Sequence, residues 1–277
     1  FQKELSKELN LFRVHAPLMV RPATGINDDL NGYERPVEFD IKHTGKNIQI
    51  IHSLAKWKRK ALKKFGYKLG EGIYCDMKAI RRDEELDNTH SLYVDQWSWE
   101  KIISEEERNF ELVQKTVKGI LKALRDTEKI FIEAFPEKKL TPIVPDDIVF
   151  ISSQELEDKY PDKTPKERED IVTKEHKAVF VTQIGKILKS GAAHDGRSPD
   201  YDDWELNGDI LVWHETLGKA LEISSMGIRV NKESLNEQLK IAGVEERKNL
   251  EFHQMLLNGE LPLTMGGGIG QSRVCMY

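Results

Sequence analysis

The strongest pattern in the chain is the alternation of apolar and polar positions over residues 207–230, NGDILVWHETLGKALEISSMGIRV. Asp209, Leu211 and Trp213 alternate with Ile210 and Val212, which is the period of a strand. A turn around His214–Gly218 follows, with Gly218 as the reversal point. The return strand carries Glu222, Ser224 and Met226 on one side. A loop of four residues sets Trp213 opposite Ala220, Glu222 opposite Leu211 and Asp209 opposite Ser224. Asp209 and Glu222 then share a face as diagonal neighbours, roughly 7 Å apart at the backbone. Two carboxylates so placed suit a hard divalent cation, since Mg²⁺ takes one or two protein carboxylates and completes its shell with phosphate oxygens. The same pattern also describes an exposed hairpin with two solvated acids, because a one-residue slip separates the pair.

Elsewhere the periodicity predicts a mixture of strands and helices. Residues 2–10 have the pattern of a helix end, and 11–20, LFRVHAPLMV, that of a strand in which Pro17 demands an edge or a bulge. A loop over 21–35 precedes strands near 37–42 and 47–52, a helix over 53–65, and strands over 73–81 and 91–99. Phe110, Val113, Val117, Ile120, Leu121, Leu124 and Phe131 keep helical spacing within a long amphipathic helix, 104–135. A connector, 138–147, leads to a strand (148–152), two helices (153–160 and 165–176), a strand (178–185) and an Asp-rich loop (190–206). Beyond the hairpin, helix 232–242 has Asn231 as N-cap, Val230 and Leu235 as a staple and Gly243 as its stop. A helix over 246–258 precedes the glycine-rich segment 265–273, which itself ends in a helix. Runs of antiparallel strands with inserted helices indicate an α+β fold, an antiparallel sheet flanked by helices, and a single domain spanning 1–277.

Composition narrows the function. The chain has 277 residues, 39% hydrophobic content, 32% charged content and a net charge of −5, enough for an ample core. Mild acidity argues against nucleic-acid binding by bulk charge. Two cysteines, Cys75 and Cys275, form no disulfide framework or zinc pattern and point to a reducing compartment. No apolar run is long enough to span a membrane and no signal peptide is evident. The chain opens inside one apparent helix and stops inside another, so both ends are expected to be incomplete.

Several side chains stand where chemistry is built. On the wheel of helix 53–65, Leu54, Trp57, Ala61, Leu62 and Phe65 form an apolar face with Lys58 in its middle. Lys56, Arg59, Lys60 and Lys63 fall opposite and are expected to form a solvated basic face. A lysine aimed at a core either snorkels past its edge or clamps an anion. Arg81 continues the apolar set Ile73, Cys75, Met77 and Ala79, so it leaves its strand on the interior side, where a guanidinium needs an anion. Leu92 and Val94 lead to Gln96 and Ser98 on one strand face. The loop HDGRSPDYDDW, 194–204, concentrates His194, Asp195, Arg197, Asp200, Asp202 and Asp203, in a spacing that matches no strong ligand pattern; a flexible acidic loop is the plainer reading. MGGGIGQSR, 265–273, allows close backbone approach to a ligand and matches neither the P-loop nor the dinucleotide fingerprint.

Together these segments resemble a known family. A Pro-containing strand after a helix, an Arg-bearing strand pair and a glycine-rich strand entering an Arg-bearing helix resemble motifs 1, 2 and 3 of class II aminoacyl-tRNA synthetases. More closely, HSLAKWKR, GEGIYCDMKAIR, YVDQW, PDYDDW, LNGDILVW, EISSMGIRV and GGGIGQSR resemble the ammonia-dependent asparagine synthetases, over nearly the whole chain. The resemblance implies a cytoplasmic homodimeric ligase with L-aspartate, ATP and ammonia as substrates and Mg²⁺ as cofactor, needing neither nucleic acid nor membrane. ATP would adenylate the β-carboxylate of aspartate, and ammonia would displace AMP. Arg81 resembles the motif 2 arginine at the α-phosphate and Arg273 the motif 3 arginine at the nucleotide. Asp209 and Glu222 resemble the Mg²⁺–ATP carboxylates, with Ser225 and Val94 on the nucleotide side. Lys58 resembles the aspartate-binding lysine, with Ser53, Ser98, Asp202 and Ser224 on the substrate side. Gln96 resembles a contact to the reacting amino acid, and Asp28 or Asp202 an acid that deprotonates ammonium.

Two departures stand out. Ser98 occupies a position where the family is expected to carry Asp, which puts recognition of the substrate ammonium in doubt. By comparison with the family, about ten further residues are expected between Trp204 and Leu206, where a mobile lid would suit the site. Two other readings fit parts of the pattern: an aspartyl- or asparaginyl-tRNA synthetase core, and a non-catalytic paralogue that binds amino acid or nucleotide.

Overall fold

The computed structural model describes residues 1–28, 30 and 34–277, so positions 29 and 31–33 of the expected 21–35 loop lie outside the described residues. Helix α1 (Gln2–Leu9) turns through a left-handed Asn10 into β1 (Leu11–Arg13). The predicted strand 11–20 does not continue. It breaks before Pro17 and resumes as β2 (Met19–Val20) in a separate small sheet with β3 (Glu38–Asp40) and β4 (Asn47–Ile50). Proline lacks the N–H that a continuous ladder would need.

Helix α2 (Ala55–Phe65) leads to β5 (Gly72–Ile80), β6 (Tyr93–Ile102) and the long α3 (Phe110–Ala134). α3 starts later than the periodicity predicts because Asn109 caps it, accepting from Leu112 N. Next come β7 (Val149–Ser152), α4 (Ser153–Lys159), α5 (Pro165–His176) and β8 (Ala178–Thr182). Capping boxes at Ser152/Glu155 and Thr164/Glu167 start the two helices. β9 (Asp202–His214) and β10 (Lys219–Arg229) form the predicted hairpin, followed by α6 (Lys232–Ile241) capped by Asn231. The predicted helix 246–258 is interrupted: Leu250 is extended (ψ 151°) and divides a 3₁₀ turn from α7 (Glu251–Leu257). β11 (Thr264–Gly270) then enters α8 (Gln271–Met276).

The main sheet has the order β1-β5-β6-β11-β10-β9-β8-β7. The run from β5 to β8 is antiparallel as expected, while the edge pairs β1–β5 and β7–β8 are parallel. One face packs on α1 and α3, where Leu5, Val117, Ile120 and Leu121 meet Trp99, Met226, Ile210 and Phe180. On the other face α2 covers the β5–β6 end and α4–α5 the β8–β9 end, each with its own apolar cluster. Between those helices the sheet face is polar.

Two expectations about the chain change here. β9 runs through Trp204, Glu205 and Leu206, so the Asp-rich loop ends at Tyr201, short of the expected 206. The solvated basic face of α2 is only partly solvated. Lys56 and Arg59 are buried, because the chain at Asp200, Val230 and Pro262 closes over the side of α2 that the wheel leaves polar. Arg59 spends its donors on the carbonyls of Pro262 and Val230, and Lys56 on Asp200.

Candidate active site

The polar sheet face is organised by strand register. Cys75, Ser98, Gly268, Ser225, Asp209 and Val181 follow one another across β5, β6, β11, β10, β9 and β8 in a single row. The turn geometry expected for the hairpin is present, with Trp213 opposite Ala220 and Glu222 opposite Leu211. An extra residue, Ile223, then bulges β10, so Asp209 faces Ser225 where simple alternation predicts Ser224. Asp209 and Glu222 stay on one face. Ser224 turns to the opposite one, buried between Ile210 and Ile269 with its hydroxyl unbonded, away from every other candidate.

The floor between the strands is β11. Gly266 and Gly268 present their bare side to the site, while Met265 and Ile269 enter the core beneath. A Cβ at 268 would collide with the Gln96 amide, and one at 266 with the Glu100 carboxylate and Arg229. Glycine is needed at both for that close approach.

Four cations surround the two hairpin carboxylates. Arg273, in the first turn of α8, donates to the Glu222 carbonyl at 2.8 Å and lies 3.5 Å from its Oε2. Arg81 leaves the end of β5 with its backbone N bonded to Leu92 O, and its Nε is buried without a hydrogen-bond partner. Arg197 donates to Asp209 Oδ1 at 2.6 Å and to Ser225 Oγ. Burial pushes Glu222 up, but Arg273, Lys166, Arg197 and Arg81 outweigh it and hold the carboxyl below its ordinary value. Burial raises Asp209 to about 6 against Arg197, and Glu222 adds to the push. Among the described residues no three carboxylate, imidazole or thiol groups converge on one point. A cation held here would have Asp209 and Glu222 as its protein ligands and phosphate oxygens as the rest, a donor set that fits Mg²⁺.

Lys58 neither snorkels nor stays free. It is 1% exposed, donates to Ser98 Oγ at 2.7 Å, Trp99 O at 2.6 Å and Gly267 O at 3.3 Å, and lies 3.7 Å from Glu100. Burial lowers it to about 8, against the pull of Glu100. Glu100 in turn holds Arg229 (3.0 Å from Nε and 2.8 Å from Nη2) and Thr264 (2.7 Å), and Arg229 reaches on to Asp202. Burial raises Asp202 despite Arg229 and Arg197. Tyr201 stacks under Arg229, ring to guanidinium 5.6 Å. Burial, with Asp28 next, pushes its hydroxyl up.

Of the predicted residues, Arg81, Arg273, Asp209, Glu222 and Ser225 come together, and Gln96, Ser98 and Lys58 adjoin them. Asp202 joins through Arg229 and Arg197. Asp28 borders the group through Tyr201, its carbonyl accepting from His52 Nδ1 at 2.9 Å. Ser53 lies just before α2, its hydroxyl accepting from Ala55 N, and Val94 lies farther out on the same face of β6. Sequence reasoning missed Glu100 and Arg229, and left Arg197 without a role. Glu100 and Arg229 carry a signal in hindsight: each is a charge on the site-facing parity of its strand.

Buried Asp200 anchors the segment that delivers these groups. It accepts from Lys56 Nζ at 3.0 Å and Ser198 Oγ at 2.8 Å, and lies 2.9 Å from His253 Nε2. Burial would raise it, but Lys56, His253 and Arg247 hold it far below the usual carboxylate range.

Comparison with known proteins finds relatives over the full length of the chain. The aspartate-ammonia ligase family model matches residues 1–277. An aspartate–ammonia ligase of Clostridium tetani is 58% identical over 277 residues, covering 100% of this chain and 81% of the relative. One from Clostridium perfringens is 60% identical over 278 residues (100% and 82%), and one from Bacillus cytotoxicus 57% over 277 (100% and 84%). Among solved structures, an asparaginyl-tRNA synthetase of Entamoeba histolytica superposes with a TM-score of 0.68 at 11% identity, over 99% of this chain and 62% of that one. The Pyrococcus horikoshii asparaginyl-tRNA synthetase complexed with asparaginyl-adenylate gives 0.61 at 16%, over 99% and 63%. The chain thus spans about three fifths of those synthetases, and at such identities the likeness establishes the class II synthetase fold alone.

Proposed function

The chain belongs to the aspartate–ammonia ligase family, whose reaction makes L-asparagine, and we propose that it does so through a β-aspartyl-adenylate formed over the β11 floor. A β-carboxylate oxygen of aspartate attacks the α-phosphorus of ATP, and the bond to the bridging oxygen breaks to release pyrophosphate. Ammonia then attacks the acyl carbon, the bond to AMP breaks, and the nitrogen gives up a proton. No enzyme nucleophile is required, so the site acts by positioning and by neutralising charge.

Arg81 and Arg273 neutralise the α-phosphate, Arg81 with the buried Nε that lacks a partner. Asp209 and Glu222 would hold Mg²⁺, which would screen the phosphate charge. Gln96, over Gly268, orients the aspartate, and Lys58 with Ser98 lines the adjoining wall. Asp202 and Asp28 are the acids available to take the ammonium proton. The observation that carries this reading is the convergence of Arg81, Arg197 and Arg273 on the two hairpin carboxylates. The same reading includes a homodimer as the working state and a cytoplasmic location; no helix among the described residues is long and apolar enough to cross a membrane.

The test is an assay of the purified protein with aspartate, ATP and Mg²⁺. AMP, pyrophosphate and asparagine are expected in equal amounts, and only when ammonium is present. Asparagine formed from glutamine but not ammonium, ADP in place of AMP, or aspartate transferred to tRNA would each overturn it.

A further inference from the structure

Helix α5 lies against the β9–β10 hairpin, and a hydrogen bond marks its register: Ala220 N donates to Asp170 Oδ1 at 2.7 Å. One helical turn before Asp170 stands Lys166, about 6 Å along the axis. Two residues beyond Ala220 stands Glu222, about 6.6 Å along the strand. The two advances match, so Lys166 comes level with Glu222, and each group feels the other's charge. Its Nζ is held 3.1 Å from Glu169 Oε2 and 3.4 Å from Asp195 Oδ2, with the side chain 68% exposed. Glu169 also meets His194 at 2.9 Å, so Lys166 and the segment leading to Arg197 share one support.

Its place gives this lysine a task. Arg81, Arg197, Arg273 and Lys166 all act on Glu222, and Lys166 is balanced at rest by Glu169 and Asp195. A triphosphate carries roughly −4 and its Mg²⁺ restores two, leaving about −2 for such cations to meet. Arg81 approaches Glu222 from the β5–β6 side and Lys166 from the α5 side. With Arg81 at the α-phosphate, Lys166 faces the outer phosphates.

We propose that Lys166 is a further nucleotide-contact residue, binding the β- and γ-phosphates of ATP and then the departing pyrophosphate. This rests on the ATP reading of the site. The test is calorimetric binding of Mg–ATP, Mg–pyrophosphate and AMP, without aspartate, to the intact protein and to Lys166→Met and Lys166→Arg. Lys166→Met is expected to weaken Mg–ATP and Mg–pyrophosphate roughly ten- to a hundredfold, the loss of one charge-assisted contact, and to leave AMP within about twofold. Lys166→Arg should retain most of the affinity. Unchanged Mg–ATP binding in Lys166→Met overturns the proposal, as does an equal loss for AMP, which would mean a distorted site. If the unaltered protein binds neither Mg–ATP nor AMP, the nucleotide reading itself fails and this assignment falls with it.

Discussion

Arg197 donates to Asp209 across 2.6 Å, so the half-buried carboxylate assigned to the metal-bound phosphates already carries a guanidinium. The contact holds the 194–202 segment down on the sheet and keeps two facing carboxylates tolerable in a buried place. Removing one partner of a buried pair costs about 3–5 kcal/mol. Arg197→Met is expected to lose stability in that range by denaturant titration, and to recover part of it when Mg²⁺ is added. The unaltered protein should gain little from Mg²⁺ alone. A loss that Mg²⁺ does not touch would mean Arg197 does not share its place with a cation.

Lys58 gives the protein a pH signature. In the folded chain it releases its proton at about 8; in the unfolded chain it does so at about 10.4. Between those values the unfolded state holds one proton more, so this group makes stability rise with pH across the window. Below about 8 its contribution is a constant penalty. Lys58→Met should flatten the rise, read as the difference between the two proteins in urea midpoint from roughly pH 7 to pH 10.5. An equal rise in both would assign the effect to another group.

Gly266 and Gly268 should fail differently when replaced by alanine. At 268 the obstacle is the movable amide of Gln96. Gly268→Ala is therefore expected to stay within about 1 kcal/mol of the original stability while KM for aspartate rises. At 266 the obstacles are a buried ion pair and the Trp99 carbonyl, which cannot retreat. Gly266→Ala is expected to lose about 3 kcal/mol or more, or not to fold. Thermal melts beside aspartate kinetics distinguish the two; matched behaviour would refute the division of labour along β11.

Ser98 invites the reverse experiment. Ser98→Asp puts a carboxylate beside Lys58 Nζ, now 2.7 Å from the serine hydroxyl. A charge-assisted hydrogen bond to the substrate ammonium contributes about 1.5–3 kcal/mol, so KM for aspartate should fall roughly ten- to a hundredfold. An unchanged KM would place ammonium recognition on Asp28 or Asp202.

What the sequence made legible follows the range of the interactions. Local rules sufficed for the Asn231 cap, for the Val230–Leu235 contact, and for the hairpin turn that pairs Trp213 with Ala220 and Glu222 with Leu211. They did not reach the Ile223 bulge, which no residue type announces and which alone exchanges Ser224 for Ser225 beside Asp209. A helical wheel of α2 shows one apolar face; it cannot show that the chain at Asp200, Val230 and Pro262 closes over another, so Lys56 and Arg59 read as solvated. Leu250 carries no break signal, yet its extended backbone ends a pattern that reads as one helix. Within the site, Arg81 and Arg273 were legible as charges leaving a strand or opening a helix. Glu100 and Arg229 were not, because their mutual ion pair joins residues 129 apart in the chain.

The bare face of β11 also limits how such a site can change over generations. Where the floor bears only hydrogens at 266 and 268, no substitution there can be tried in small steps, since the smallest one already meets Gln96 or Glu100. Novelty in what the pocket accepts has to arise at the walls, at Ser98 or along 194–202. A descendant with a different appetite would be recognised by its rim, while its glycines stayed as they are.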